Sequence, residues 1–394
     1  MPEKLAEVYE KYDIEIISSR RGRGANILTT TDGLYILEPF RGNVARLEQE
    51  YVLKGLFEEE GFHDFDLFVL NKTGELLTND RYHQPFVLKK HFEGEECDMR
   101  NLADVVRAIE KLAQFHLYGK RVVHQFQDAW EKTKWEKEQQ QIKEMKQMHE
   151  DGEELEQIAR IYGFSLAVVR EMIKEKPQGQ EGRNVTEKDV GKAENNTGDV
   201  LNTFVRRNRE LRKIRKFVGG VKRKNSFENL FLQVFSEYYN KGIKCQEIYS
   251  DVDILKNQFE NHYGICHGNY NQHNIIMDTN NEAIVHFEHF SKGNQLGDVY
   301  QFARKAMEKN HFDYEMLDVI LDAYSKHIKL SQDDYQYIYV LFSYPEKFWK
   351  IANNYYNTNK AFLSPKYIEK LQMVLEQEKE KNEMLSSYYA FHLN

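Results

Sequence analysis

The chain has 394 residues, 41% hydrophobic and 30% charged, a globular balance with enough length for two lobes or for one domain carrying an insertion. The longest apolar runs are a few residues, too short to span a bilayer, and the formal net charge of -8 gives no general nucleic-acid signal. The N-terminal sequence MPEKLAEVYEKYDIEI lacks the basic-then-apolar layout of a signal peptide, so synthesis in the cytoplasm is expected. Cys97, Cys245 and Cys266 are widely spaced with no CxxC pair, which argues against a zinc ribbon or a disulfide framework.

In chain order, residues 1–15 read as a short helix. Ile14 to Ile17, Asn26 to Thr30 and Leu34 to Leu37 are strand-like, broken by Arg20-Arg21-Gly22-Arg23-Gly24 and by the hairpin signal Thr31-Asp32-Gly33. Ala45 to Glu60 is helical, with an apolar side at Leu47, Tyr51, Leu53 and Leu56 and a stop at Gly61. Strands are expected near Asp66 to Leu70 and Phe86 to His91, around a turn at Thr73-Gly74. From Leu102 to His116 apolar residues recur at helical spacing. Residues 131–200 turn rich in Glu, Lys and Gln and then in Gly, Asn and Thr. Within them a helix pair is expected at Glu153 to Tyr162 and Ser165 to Lys174, followed by a mobile linker at Pro177 to Gly198. A β-rich interruption at Ile265 to Glu288 precedes helices to the end. The reading is α+β: a small sheet lobe to about residue 90, then a helical large lobe over 91–394 with a charged insertion at about 131–200.

The sharpest segment is Cys266-His267-Gly268-Asn269-Tyr270-Asn271-Gln272-His273-Asn274, followed by Ile284-Val285-His286-Phe287-Glu288 and then by Gly297-Asp298. A His-Gly-x-x-x-x-x-Asn loop, a hairpin, an acid at a strand end and a later Asp have a physical logic. The loop places a group beside an accepting hydroxyl, and Asn and the acid hold a metal that bridges ATP phosphates. The later Asp can tie the loop together by accepting backbone N–H bonds.

This order resembles the catalytic loop and metal-binding strand of aminoglycoside phosphotransferases and choline kinases. The chain as a whole resembles the spore coat protein S (CotS) family. Gly33-Leu34-Tyr35-Ile36-Leu37, Arg46-Leu47-Glu48, Gly94-Glu95-Glu96-Cys97-Asp98, Arg206-Arg207-Asn208-Arg209-Glu210-Leu211, Tyr344 to Lys350 and Asn357 to Ala361 add to the likeness. The resemblance implies a two-lobed protein kinase-like fold, ATP and Mg²⁺ as cofactors if the cleft binds nucleotide, other spore coat proteins as partners, and assembly into the coat during sporulation. By residue, it implies Gly22 and Gly24 over the phosphates, Glu48 on the small-lobe helix, Asn274 and Glu288 as metal ligands, and Asp298 as a structural acid.

Three positions depart from that pattern. Asn269 stands where an active kinase would carry Asp, and Asn cannot take a proton, whereas a general base contributes about 10²–10⁴ in rate. Glu288 replaces Asp, moving a ligand of a strictly octahedral ion by one methylene. Glu38 stands at the phosphate-binding Lys position, and a like charge about 4 Å from a phosphate costs on the order of 4 kcal/mol at an effective dielectric of 20. Arg41 or Lys89 would have to reach in to offset it. The set keeps its fold-supporting members and loses its chemical ones, which suggests a pseudokinase scaffold. The alternative is an ATP-dependent phosphotransferase acting on a small hydroxylated molecule or a coat protein, with His267 or Arg41 compensating.

Other features have plain readings. His116 reads as a packed histidine, and the histidines between 262 and 289 follow no zinc spacing. Residues 206–224 hold ten Lys or Arg and one Glu, which leaves 45 basic against 62 acidic residues elsewhere, a balance of -17. With Phe204, Leu211, Ile214, Val218 and Val221 on one side, the segment is a basic amphipathic helix. It is either a solvated helix packed on the large lobe or a docking surface for an acidic protein, for nucleic acid or for an anionic membrane. The segment from Glu153 to Lys174 has a helix-turn-helix rhythm but no basic charge, and reads as an accessory helical hairpin.

Overall fold

A computed structural model of the protein describes residues 5–22, 24–173, 200–251, 261–279, 281–357 and 366–393. The chain divides into two compact units, one comprising residues 1–122 and 196–394 and the other residues 123–195.

The first unit opens with α1 (Ala6–Tyr9) and a sheet formed by β1 (Ile16–Arg21), β2 (Asn26–Thr30), β3 (Gly33–Pro39), β4 (Phe68–Val69), β5 (Thr78–Asn79) and β6 (Pro85–His91). The strand order is β1-β2-β3-β6-β4, with β5 also on β6, and every pair is antiparallel. The period of two along a strand separates two faces. Leu37 and Leu88 join Leu28, Phe86 and the α1 side chains Val8 and Tyr9 in one core. The alternate positions Glu38, Val87 and Lys89 face the other way. There Val87 packs with Phe68 and with Leu47 of α2 (Val44–Glu59). Asn43 caps α2 by accepting from the Arg46 N–H, and Gly61, at φ 91, lets the chain leave it.

A short strand β7 (Glu95–Glu96) follows, then α3 (Leu102–Glu150). The compositional change near residue 131 falls inside α3, which continues well past the expected stretch to His116. The second unit contains the later part of α3, α4 (Leu155–Tyr162) and α5 (Leu166–Ile173). Met145, Ile158, Ala159 and Val169 form its core, so the expected helix pair is present. The linker expected at 177–198 lies outside the described residues.

Back in the first unit, α6 (Val200–Gly220) packs on α7 (Ser226–Asp251). The β-rich interruption is made of β8 (Tyr263–Cys266), β9 (Ile275–Met277), β10 (Glu282–Ile284) and β11 (Ser291–Asn294). β9 lies between β10 and β7, and β8 pairs with β11. The helices α8 (Leu296–Lys309), α9 (Tyr314–Ser325), α10 (Gln332–Ser343), α11 (Glu346–Asn357), α12 (Lys366–Glu376) and α13 (Glu378–His392) complete it. α6 and α7 share an aromatic-rich core with α11 and α12, built on Phe231, Phe235, Tyr238 and Phe348. No described helix is long and apolar enough to cross a membrane.

Gly94 joins β6 to β7 at φ 131, and a Cβ there would fall inside contact distance of the Met277 carbonyl. Gly94→Ala should therefore destabilise the first unit by about 2 kcal/mol or more, measured by urea denaturation. A neutral outcome would show that the 94–277 approach is loose.

Candidate functional site: a kinase-like cleft rewired by buried ion pairs

The loop after β8 is held from below by one carboxylate. Asp298, in the first turn of α8, accepts from the His267 N–H at 2.6 Å and the Gly268 N–H at 3.0 Å. Gly268 is required on two counts: its φ is 75, and a Cβ would collide with the His289 carbonyl. His116 stands behind Asp298, its Nε2 3.4 Å from Oδ2 and its Nδ1 2.8 Å from the Tyr324 hydroxyl. It is fully buried, and burial holds its pKa below the ordinary value.

His267 is also fully buried. Its Nε2–H donates to the Val285 carbonyl at 3.1 Å, and Nδ1 accepts from the Asn269 N–H at 3.3 Å. Burial lowers its pKa, and the ring packs against Phe287 and Phe115. Both nitrogens are committed to backbone, so His267 positions the loop. Asn269 is half-buried. Its side-chain oxygen accepts from Asn271 Nδ2 at 3.1 Å, and its carbonyl accepts from Asn271 Nδ2 at 2.7 Å and from Asn274 Nδ2 at 2.9 Å. The amide at 269 is thus part of the loop's own bonding.

Above the loop lies a chain of charges. Lys54 is 1% exposed and spends its three donors on Glu50 Oε1 at 2.6 Å, the Asp66 carbonyl at 2.7 Å and Asp66 Oδ1 at 2.8 Å. The other Asp66 oxygen faces Lys89 Nζ at 3.3 Å and accepts from the His286 N–H at 3.3 Å. Lys89, 3% exposed, also lies 3.6 Å from Glu38 and 3.9 Å from Glu288. Burial alone would raise the Asp66 pKa, but Lys54 and Lys89 outweigh it and hold the carboxyl far below the usual range. Burial would likewise lower the pKa of Lys89, and Asp66, Glu50, Glu38 and Glu288 outweigh that and raise it. Glu288 is half exposed, yet the His286 hydrogen bond and Lys89 outweigh its partial burial and bring it to about 2. His286 sits at φ 66 with Nδ1 3.3 Å from Glu288 Oε1. That hydrogen bond raises its pKa.

The geometry separates the residues singled out from the sequence. Glu38 and Glu288 converge on Lys89, while Asn269 and Asn274 share the loop. On α2, Glu50 enters the charge chain, and Glu48, two residues earlier, leaves the helix on the opposite side. Gly22 and Gly24 flank the β1–β2 turn, where the Gly22 N–H donates to the Ala25 carbonyl at 2.9 Å. Arg41 is exposed, whereas Arg46 donates to the Glu288 carbonyl at 3.2 Å and to the Phe290 carbonyl, and stacks on the Phe290 ring. Lys54 and Asp66 were missed as site residues, although a signal existed. Glu50 and Lys54 share a helix face with Leu47 and Phe57, and a charged i,i+4 pair on an apolar stripe must be buried and paired.

These residues do not fit a polyphosphate in the expected place. Two lysines stand among four carboxylates, so the cluster is net negative. Lys89 already has three carboxylate neighbours, and Arg46 is turned to carbonyls. Glu288 and the Asn274 amide are oxygen donors of the kind Mg²⁺ takes, but among the described residues no three His, Cys, Asp or Glu side chains are grouped to hold a metal ion.

The fold is of the kinase-like class, α+β and mostly helical. The chain is similar over 97% of its length to 94% of an aminoglycoside phosphotransferase from Alicyclobacillus acidocaldarius, with a TM-score of 0.69 and 15% identity. It is similar to spectinomycin phosphotransferase APH(9)-Ia, solved with ADP and spectinomycin, over 99% of each chain, with a TM-score of 0.52 and 11% identity. A microcompartment-associated aminopropanol kinase gives a TM-score of 0.50 at 14% identity over 97% of each chain. At such identities the likeness is one of fold. Within that class the chain belongs to the family described as "Spore coat putative kinase YutH", whose sequence model matches residues 5–161 and 180–388. A comparison with curated proteins found no match.

Two outcomes follow from the charge chain. Lys54→Met leaves Glu50 and Asp66 buried with one cation between them, so it should cost about 3–5 kcal/mol of unfolding free energy in urea. Asp66 and Glu288 titrate below their unfolded values. Their contribution is therefore complete above an unfolded carboxylate pKa of about 4 and is lost as pH falls through the folded values. The urea midpoint should drop steeply below about pH 4, and Glu288→Gln should flatten the part of that drop extending down to about 2. His286 acts in the opposite sense, stabilising below about 6.5 and less as pH rises past its raised pKa.

Proposed function

We propose that this chain is a spore coat protein that uses the kinase fold as a scaffold and does not transfer phosphate. The observation that carries the reading is the Glu38–Lys89–Glu288 triangle. Lys89 is neutralised by the chain's own carboxylates, which take the place an anionic ligand would need. Opposite charges about 4 Å apart attract by about 4 kcal/mol at an effective dielectric of 20, so a phosphate must displace a carboxylate to reach Lys89. Asn269 supports the same reading, because it offers no proton acceptor where general base catalysis requires one. His267, fully buried, supplies no substitute. The family's coat context supports synthesis in the cytoplasm during sporulation followed by assembly with other coat proteins. The proposed division is a small lobe over about 1–90 and a large lobe from 91.

Thermal unfolding with and without ATP and Mg²⁺ tests the reading. A ligand at 100 times its dissociation constant adds about 2.7 kcal/mol. At about 1 mM Mg-ATP, a hundredfold excess over a site of about 10 µM, we expect no Mg²⁺-dependent rise in Tm. We also expect no ATP turnover, either by the native protein or by the Glu38→Lys/Asn269→Asp double variant on small hydroxylated metabolites. ATP turnover by the native protein that collapses in Glu288→Ala would instead make it an ATP-dependent phosphotransferase holding Mg-ATP through Asn274 and Glu288.

A further inference from the structure

The outer side of α6 carries a row of cations, four of which meet no carboxylate among the described residues. The helix buries Phe204, Leu211, Ile214 and Val218 and leaves Arg206, Arg209, Arg212, Lys213, Arg215 and Lys216 exposed. Arg206 pairs with Glu210, and Arg215 lies over the Phe235 ring. Arg209, Arg212, Lys213 and Lys216 pair with no carboxylate among the described residues. They stand at i, i+3, i+4 and i+7, a single stripe in which neighbours are about 5–6 Å apart. That is inside the Debye length of about 8 Å at physiological ionic strength, so the four repel one another and work against the helix that carries them. An external anionic surface would relieve this repulsion.

The rest of the chain supplies such a surface. Outside residues 206–224 the balance is -17. A concentrated acidic run is Glu93-Gly94-Glu95-Glu96-Cys97-Asp98, with four carboxylates, no Lys or Arg, and all four acids exposed. His273 pairs with Glu96, while Glu93 and Glu95 pair with no cation among the described residues. Both surfaces belong to the same compact unit, but their elements pack on different neighbours: α6 on α7 and α11, β7 on β9. Each copy therefore presents one positive and one negative segment, carried on separately packed elements.

We infer that the α6 stripe is an interface for a second copy of this chain, docking on the acidic 93–98 segment of that copy. The two faces are unlike, so the contact is heterologous and repeats head to tail. The inference does not depend on whether the cleft is catalytic.

Sedimentation velocity of the full chain tests it. At about 50 mM NaCl the protein should associate with rising concentration, and at about 500 mM the association should weaken at least tenfold, because exposed charge pairs are screened. A stripe variant (R209E, R212E, K213E, K216E) and an acidic-face variant (E93K, E95K, D98K) should each stay monomeric alone. Mixed, they should form a one-to-one pair, because the first keeps its acidic face and the second its basic one. A folding defect in either variant cannot produce that rescue, and matching circular dichroism of both confirms that they are folded. A native protein that is monomeric at low salt, or association that survives reversal of the stripe, would overturn the inference. So would failure of the folded variants to pair, with stripe reversal instead abolishing binding to duplex DNA or to anionic phospholipid vesicles.

Discussion

Burying the Lys54 ammonium obliges the protein to surround it with oxygen, and much of the cleft follows from how that is done. A lysine 1% exposed leaves three ammonium donors out of water, and each needs an acceptor. Glu50 meets one from the same helix, and Asp66 meets two with its carbonyl and one carboxylate oxygen. That pins Asp66, although it lies just outside β4. The second Asp66 oxygen then turns to Lys89 and to the backbone of His286. One buried cation thereby ties α2 to the sheet and the sheet to the segment between β10 and β11.

Asp298 is the counterpart beneath the loop. By accepting two backbone N–H groups it sets the path of residues 267–269, and His116 and Tyr324 back it up in turn. None of these bonds depends on what the side chain at 269 is. This explains how a kinase-like loop persists with Asn at that position: the hydrogen bonds that hold the loop are separable from the group that would do chemistry on it. The same holds in the sheet. Glu38 is accommodated because Lys89, two positions along the neighbouring strand from its register partner Val87, brings a cation to the same face.

The charge distribution therefore has two scales. Inside the cleft, carboxylates outnumber lysines, and local pairing fixes geometry. On the surface, a basic stripe and an acidic segment stand on one compact unit, and most of their charges meet no opposite charge among the described residues. Buried pairs are insulated from salt and specify structure. Exposed stripes are screened within a Debye length and are suited to reversible association.

Much of the architecture was legible in the sequence because it rests on local rules. Strand-like runs and the Asp32-Gly33 turn located β2 and β3, helical spacing located α2 and the start of α3, and the ordered loop with its later Asp pointed to the kinase-like class. The basic amphipathic pattern of 206–224 corresponds to α6 through Gly220. The length of α3 was not legible, since a charged run past residue 131 reads as a change of region and says nothing about backbone continuity. Nor was the wiring of the cleft. Glu38 was readable as the wrong charge, but its partner is fixed by strand register, which places Ile36 opposite Lys89, and by Asp66 arriving from a separate segment. His267 looked like a chemical candidate until its two nitrogens were seen spent on Val285 and Asn269. The sequence by itself determined which charges this protein must house. Only the tertiary structure decided which of them meet, because ion pairing depends on distances of a few ångströms between residues far apart in the chain.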